Sequence, residues 1–451
     1  MLIRFTVENF LSFNKRTDFN MIASDEIRHS HHVVKGISEN EISLLRSSVI
    51  YGANASGKSN FIKAMAFAKE LIVEGVEKRK AIKTEPFRLD KSNLKKPSRF
   101  EFEFRYKGKQ YAYGYSVDRS KVHEEWLFEF GHEIETLIFE RVENHIDFNF
   151  EHDIFSNIPG EEKQRLEYEA KGTRDNLLFL TNCKERNIKY LEVIYEWFDD
   201  ILNIIFPRTE LLSLPFFMNS DEDIEKFFRG ILEWFDFRIK KIEIKEINFD
   251  DFDGISKKRS RESIRENFSE GQEKNRIGIA SDRQGVNYVF KKDEEGILKV
   301  LRLTTIRSDR DGQEVSFEIS EESDGTRRVI DLLPMLMALR KEYVFIVDEI
   351  ENSLHPLIVK GLFDLALNSK MFETSQGQLI ASTHEVHLLD IKHLFRKDEI
   401  WFIEKDGYGQ SHAYSLADTN VEDLDLIKGY LNGRFGAIPF IRNAKELGWE
   451  D

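Results

Sequence analysis

Residues 52–59 read GANASGKS and fit the pattern G-x-x-x-x-G-K-[ST] at every fixed position. Such a loop constrains the fold around it, because it cradles phosphate oxygens with inward-turned backbone N–H groups between a strand and a helix. Both flanks comply. The stretch SSVIY at 47–51 reads as a strand, and Phe61, Ile62, Met65, Phe67, Ala68, Leu71 and Ile72 recur at helical spacing. Gly52 and Gly57 permit the tight curvature, Lys58 reaches towards β and γ phosphates, and Ser59 offers a hydroxyl to Mg²⁺. The expected ATP-binding segment is therefore Gly52, Ala53, Asn54, Ala55, Ser56, Gly57, Lys58, Ser59 and Asn60, with Lys58 also catalytic. An ordinary glycine-rich turn is the plainer alternative, but a chance match has odds of about one in a hundred for average residue usage.

A phosphate loop alone serves kinases, switches, motors and clamps, so a second motif must narrow the class. In EYVFIVDEIENSLHP, 342–356, an apolar run from Val344 to Val347 ends in Asp348 and Glu349. A run with no polar face suits a central parallel strand. Asp348 then stands at the carboxyl end, where it can hold Mg²⁺ through water, and Glu349 is placed to polarise an attacking water. QLIASTHEVHLLD, 378–390, is a further strand ending in His384, and EESDGTRR, 321–328, places Ser323, Gly325 and Thr326 at the start of a helix. Taken alone, the first is a solvated histidine and the second a simple cap.

Around these motifs the chain changes period several times. Ile3, Phe5 and Val7 alternate with Arg4, Thr6 and Glu8, and RFEFEFRYKGKQYAYGYSV alternates again, with Lys107, Gly108 and Lys109 as a hairpin turn. Residues 160–240 read mainly as helix, for instance NIKYLEVIYEWFDDILNIIF, ended by Pro207. A polar stretch at 250–285 reads as an exposed, mobile connection; strands resume at 286, and strand and helix alternate from about 326, which signals a parallel sheet. The expectation is an α/β chain: an N-terminal lobe with an antiparallel sheet over 1–150, a mostly helical insertion over 151–300, and a C-terminal lobe over 301–451.

Composition excludes several classes. With 451 residues, 41% hydrophobic and 37 of them phenylalanine, the chain is neither disordered nor limited to one small core. No apolar run approaches the roughly 18–20 residues of a membrane span, and Arg4 and Glu8 interrupt the first apolar segment, so a cytoplasmic protein without membrane contact is expected. The one cysteine, Cys183, leaves no internal disulfide or thiolate metal cage. A net charge of −15 argues against broad positive potential and leaves KKRSRESIR, 257–265, as one local basic stretch, more simply a solvated loop. His29, His31 and His32 cluster in RHSHHV, but no cysteine or acidic ligand set accompanies them in the sequence.

The order GANASGKS, ESDGT, FIVDE, SLHP, STHE resembles the ABC-type ATPase heads of the SMC, RecF and Rad50 kind. More narrowly, RFTVENFLSF near the start, the phosphate loop, and YLNGRFGAIPF at 430–440 resemble the AAA_15/AAA_21 group of bacterial ATPases, which includes RloA-like and AbiLi-like phage-defence proteins and is related to the ATPase half of OLD nucleases. The resemblance covers about 1–130 and 300–445 and is thin between them. It implies that Ser323, Gly325 and Thr326 form a signature loop, that SLHP is a D-loop, and that His384 senses the γ phosphate. It further implies a homodimer or higher even oligomer, in which Ser323 and Gly325 of one copy close over ATP held by the other.

Two departures from the group stand out. No glutamine occurs between 61 and 109 for a Q-loop, so Gln110 or a substitute near TEPFRLD would have to serve. Fewer than 70 residues follow His384, too few for the Toprim domain of OLD nucleases, so any nuclease effector is expected to be a separately encoded partner. The resulting expectation is an ATPase acting as sensor or regulator in anti-phage defence. Alternatives are a RecF-like DNA-repair clamp, with DNA contact through the middle of the chain, and a P-loop small-molecule kinase, which has no use for ESDGT or His384.

Overall fold

A computed structural model describes residues 1–36, 41–131, 135–207, 209, 222–252, 261–262, 264–265, 268, 277–281, 287–293, 295–419 and 426–431. By packing, the chain forms two units, one of residues 1–207, 338–351 and 359–451, the other of 208–337 and 352–358. No helix among the described residues is long and apolar enough to cross a membrane.

The first unit holds two sheets. One is a seven-stranded antiparallel sheet in the order His145–Phe148, Glu135–Val142, Val122–Phe130, Lys109–Val117, Ser98–Tyr106, Leu2–Glu8, Thr17–Asn20. Its alternating sequence is read directly in the burial of Ser98–Tyr106, where Phe100, Phe102 and Phe104 point inward and Arg99, Glu101 and Glu103 do not. The hairpin after it turns on Lys107 (φ 49°) and Gly108 (φ 78°), while Lys109 already pairs with Tyr106. Positive φ at both central residues matches the twist of the flanking strands.

Phenylalanines pack this sheet against the helix Lys58–Val73 and the turn Trp197–Ile201. Phe5 meets Phe61 edge to face at 5.5 Å, Phe10 stacks on Phe67 at 5.0 Å, and Phe104 stacks on Trp197 at 4.1 Å. Aromatic pairs in these arrangements contribute about 0.5–1.5 kcal/mol each beyond their buried area.

The second sheet of this unit runs Leu202–Ile205, Val344–Val347, Gln378–Ser382, Ser47–Tyr51, Ile400–Lys405, Ser411–Ser415, with the first five strands parallel and the last antiparallel. All four residues of Val344–Val347 are buried, as a central strand requires. Gln378 joins the two sheets: its amide donates to the carbonyls of Leu2 and Leu45 at 3.0 and 2.9 Å, and its oxygen accepts from the Leu2 N–H at 2.5 Å.

The helical reading of NIKYLEVIYEWFDDILNIIF ends early. Helix Glu192–Glu196 continues as a wide turn over Trp197–Ile201, and Leu202–Ile205 is then a strand in register with Val344–Val347. Pairing to a buried parallel strand outweighs the helical periodicity there, and two adjacent isoleucines favour the extended form. Of the insertion expected over 151–300, the described residues form the helices Gly160–Gly172, Phe179–Glu185, Glu192–Glu196 and Glu222–Trp234, but also the strand Leu202–Ile205 and further strands from Lys241. Helices Gly160–Gly172 and Phe179–Glu185 contribute Leu166, Ala170, Phe179 and Leu180 to the core of the first unit.

In the second unit Lys241–Asn248, Leu298–Ser308, Asn287–Lys292 and Ile277–Ser281 form an antiparallel sheet, with Glu314–Glu318 also paired to Leu298–Ser308. A small core of Phe249, Phe252, Ile264, Phe290 and Val300 closes one side of it. The helix Asp324–Ala338 follows and buries Val329, Ile330, Leu332, Leu333 and Leu336. Of the tail motif at 430–440, Tyr430 and Leu431 end the helix Leu426–Leu431, and the rest lies outside the described residues.

Candidate nucleotide site

Three parallel strands of the first unit end side by side: Ser47–Tyr51, Val344–Val347 and Gln378–Ser382. The loop 52–57 leaves the first of these and enters the helix Lys58–Val73. Loop shape depends on absent side chains. A Cβ on Gly52 would meet the Ile403 carbonyl oxygen at 2.4 Å, and Gly57 has φ 120° with Ser411 Oγ 2.3 Å from where its Cβ would be. Ala55 also takes a left-handed φ of 64°.

Serines brace the loop from outside. Ser411 Oγ donates to the Ser56 carbonyl at 2.6 Å and lies 2.8 Å from Ser12 Oγ, which accepts from Asn60 Nδ2 at 3.0 Å. Asn54 and Ala55 are exposed at the loop tip, Ala53 is partly so, and Ser56 is buried. Lys58 Nζ donates to the carbonyls of Gly52 at 2.7 Å and Ala53 at 3.3 Å, folded back inside its own loop. Burial lowers its pKa to about 8, against the attraction of Glu351, Asp348 and Glu349.

The acidic motif meets the loop at Ser59, whose Oγ lies 3.3 Å from Asp348 Oδ1. The same carboxylate oxygen accepts from Ser382 Oγ at 2.6 Å. Ser382 Oγ in turn accepts the Glu349 N–H at 2.8 Å, and the Ser382 carbonyl accepts the Ile350 N–H at 3.1 Å. These bonds hold Glu349 at φ 48°, a conformation that costs a non-glycine residue on the order of 1–3 kcal/mol and persists only when its surroundings fix it. A serine hydroxyl and a carboxylate, adjacent and both hard oxygen donors, fit Mg²⁺.

His384 follows Gln378–Ser382, and its N–H donates to Glu351 Oε1 at 2.6 Å. The His384 pKa is lowered, first by desolvation of the ring and then by Lys58, with Asp348 opposing. Glu351 was not singled out in the sequence, where it is only the third acid of DEIE. Its pKa is raised by burial, its Oε2 is buried without a hydrogen-bond partner among the described residues, and it is the acid that acts most strongly on Lys58. Ser382, Ser12 and Ser411 were equally silent, because a lone serine at a strand end or in a turn carries no periodic signal.

Ser323, Gly325 and Thr326 belong to the second unit. Ser323 Oγ accepts the Thr326 N–H at 3.2 Å and lies 2.8 Å from Thr326 Oγ1, capping the helix Asp324–Ala338. A Cβ on Gly325 would stand 2.8 Å from the Ser353 carbonyl oxygen, so the absent side chain lets SLHP approach the helix start.

Gln110 is a strand residue, paired with Arg105 and Phe130 in the antiparallel sheet. The TEPFRLD segment instead attaches to the turn bearing Ser12: Leu11 N–H donates to the Glu85 carbonyl at 2.7 Å and Phe87 N–H to Asn9 Oδ1 at 3.1 Å. Of the basic stretch 257–265, Arg261 lies over the Phe249 ring at 4.4 Å and donates to the Phe252 carbonyl, and Arg265 pairs with Asp250.

A family model named AAA_21 and described as "AAA domain, putative AbiEii toxin, Type IV TA system" matches residues 47–390. No curated protein matches the chain. Among solved structures, the SMC head domain from Thermotoga maritima is similar at a TM-score of 0.38 and 12% identity, over 92% of this chain and 98% of that one.

Proposed function

The chain belongs to the AAA_21 family of AAA-domain proteins, and from that premise we propose that it binds and hydrolyses ATP as an ABC-type head that pairs with a second copy of itself. What carries the reading is the meeting of Lys58, Ser59 and Asp348 at the carboxyl ends of parallel strands. On this reading the N–H groups of 53–59 surround the β and γ phosphates, aided by the N-terminus of Lys58–Val73. Lys58 exchanges its two carbonyl partners for phosphate oxygens, and Glu349, held by Ser382, orients and polarises the attacking water. Ser59 and Asp348 hold Mg²⁺, which neutralises charge on the phosphates when bound. His384 reports the γ phosphate through its link to Glu351.

Ser323 and Gly325 of one copy close over the γ phosphate held by the other, so ATP joins the pair and hydrolysis releases it. The cellular role we infer is that of a sensor or regulator in anti-phage defence, acting on a separately encoded effector from the cytoplasm. It is supported by the toxin–antitoxin wording of the family description and the motif resemblance. A DNA-clamp role is less favoured, because Arg261 and Arg265, the described arginines of the basic stretch, already have partners within the chain.

Sedimentation of Glu349→Gln with and without ATP tests the switch. A doubled mass with nucleotide is expected; an unchanged mass at saturating ATP, from a chain that is a monomer without it, sinks the proposal.

A further inference from the structure

Three histidines apart from the nucleotide site share one turn. His29, at φ 50°, bends the chain into Ser30–His32, and the His32 N–H returns to the His29 carbonyl at 2.9 Å. One ring nitrogen from each of His29, His31 and His32 lies within 4.8 Å of the others. The fold supplies what the sequence around them lacks. Asn368, the last residue of the helix Pro356–Asn368, turns its Oδ1 to His31 Nε2 at 2.7 Å and His32 Nε2 at 3.2 Å. Its amide orientation is set, because Nδ2 donates to Asp364 Oδ1 at 2.8 Å. On the other edge of the His32 ring, Nδ1 lies 3.0 and 3.1 Å from the two oxygens of Glu399, and both side chains are fully buried.

These contacts set the His32 ring between two acceptors, the Glu399 carboxylate at Nδ1 and Oδ1 of Asn368 at Nε2, and a ring with a single N–H satisfies only one of them. His29 Nε2 is buried with no hydrogen-bond partner among the described residues, a state that native structures rarely tolerate. A cation among these atoms resolves both conflicts. We propose that His29, His31, His32 and Asn368 bind one divalent transition ion of the zinc class, with Glu399 as the positioning residue that fixes the His32 tautomer.

Three imidazoles and one amide oxygen suit such an ion and not Mg²⁺, which prefers oxygen donors. A carboxylate behind a ligating imidazole is the usual outer partner. Bonds of about 2.0–2.1 Å in tetrahedral geometry would set neighbouring donors roughly 3.3 Å apart. The 3.2 Å pair already meets that, and the 2.7 Å pair opens at His31, which is exposed and gives the ion its way in. The Arg46 guanidinium faces the carbonyls of His31 and Ala366, and the Glu399 charge offsets its own.

The test uses the untagged full chain, stripped with a chelator and titrated with Zn²⁺ alone, by calorimetry and by thermal melting. One equivalent should bind and raise the melting midpoint. In His29→Gln/His31→Gln, affinity should fall at least about 100-fold while the metal-free midpoint stays that of the metal-free parent; in Glu399→Gln it should fall about 10- to 100-fold. Cobalt in place of zinc should give the visible absorption of a tetrahedral nitrogen-rich site. Absence of stoichiometric binding, or equal binding by the double variant, overturns the proposal. So does ring-nitrogen NMR that finds His32 doubly protonated in the Zn²⁺-saturated chain, which would make it an imidazolium paired with Glu399.

Discussion

Ser382 donates to Oδ1 of Asp348 at 2.6 Å and accepts the N–H of the next residue, Glu349, at 2.8 Å. One hydroxyl thus sets both the carboxylate proposed to hold Mg²⁺ and the backbone of the residue proposed to orient water. Ser382→Ala should keep ATP binding while lowering kcat about 10- to 100-fold, matching the roughly 1.5–3 kcal/mol of hydrogen bonds to charged groups. Steady-state hydrolysis alongside direct nucleotide binding separates the two.

Lys58 has a pKa lowered to about 8 from 10.5, chiefly by burial. Between those values the unfolded chain binds more protons than the folded one, so this group's contribution to stability rises with pH from about 8 to 10.5. Below that window it is a constant penalty. A triphosphate beside Lys58 restores the cation, so ATP binding above pH 8 should take up a proton. Calorimetry at pH 8.5–9 in buffers of different ionisation enthalpy should detect the uptake, and Lys58→Met should lack it.

Gly52→Ala places a methyl group 2.4 Å from the Ile403 carbonyl oxygen, a backbone atom that no rotamer change moves aside. The loop must deform, so ATP affinity should fall at least about 100-fold, in keeping with the loss of several phosphate contacts. The melting midpoint should move by only a few degrees. Fluorescent-nucleotide titration and thermal melting read the two quantities.

A composite site makes a complementation prediction. Ser323→Arg and Lys58→Ala should each be inactive alone, because each homodimer has two broken sites. Mixed in equal amounts, they should recover a fraction of wild-type ATP hydrolysis through heterodimers carrying one intact site. No recovery, from two variants shown to form the mixed pair, would count against the head-to-tail arrangement.

Arg141 and Glu125 form a buried pair at 3.8 Å that links the antiparallel sheet to the helix Phe179–Glu185. Glu125 accepts the N–H groups of Phe179 and Leu180 at 2.6 and 3.0 Å and the Tyr113 hydroxyl at 2.8 Å, while Arg141 donates to the Leu177 carbonyl at 2.7 Å. Removing one member leaves the other charge buried and alone, so Arg141→Ala should cost about 3–5 kcal/mol in denaturant unfolding.

Much of the candidate site was legible because its chemistry demands particular residues at fixed spacing. GANASGKS announced a turn between strand and helix, and VFIV followed by Asp348 announced a central strand with an acid at its carboxyl end. The alternating phenylalanines gave away the antiparallel sheet. Leu202–Ile205 was missed, since three apolar residues and an asparagine after a helix look like more helix until a partner strand is known.

What the order of residues settled alone was local: where the backbone must curl around phosphate, and which runs alternate and which are buried on both faces, since sterics and hydrophobic period act between near neighbours. Only the tertiary structure decided which distant groups meet. Ser382 reaches Asp348 across 34 positions, Ser411 reaches Ser56 across 355, and Glu399 reaches His32 across 367. Those bonds depend on strand order and register, and a lone serine, glutamate or histidine has no periodicity by which its partner can be found.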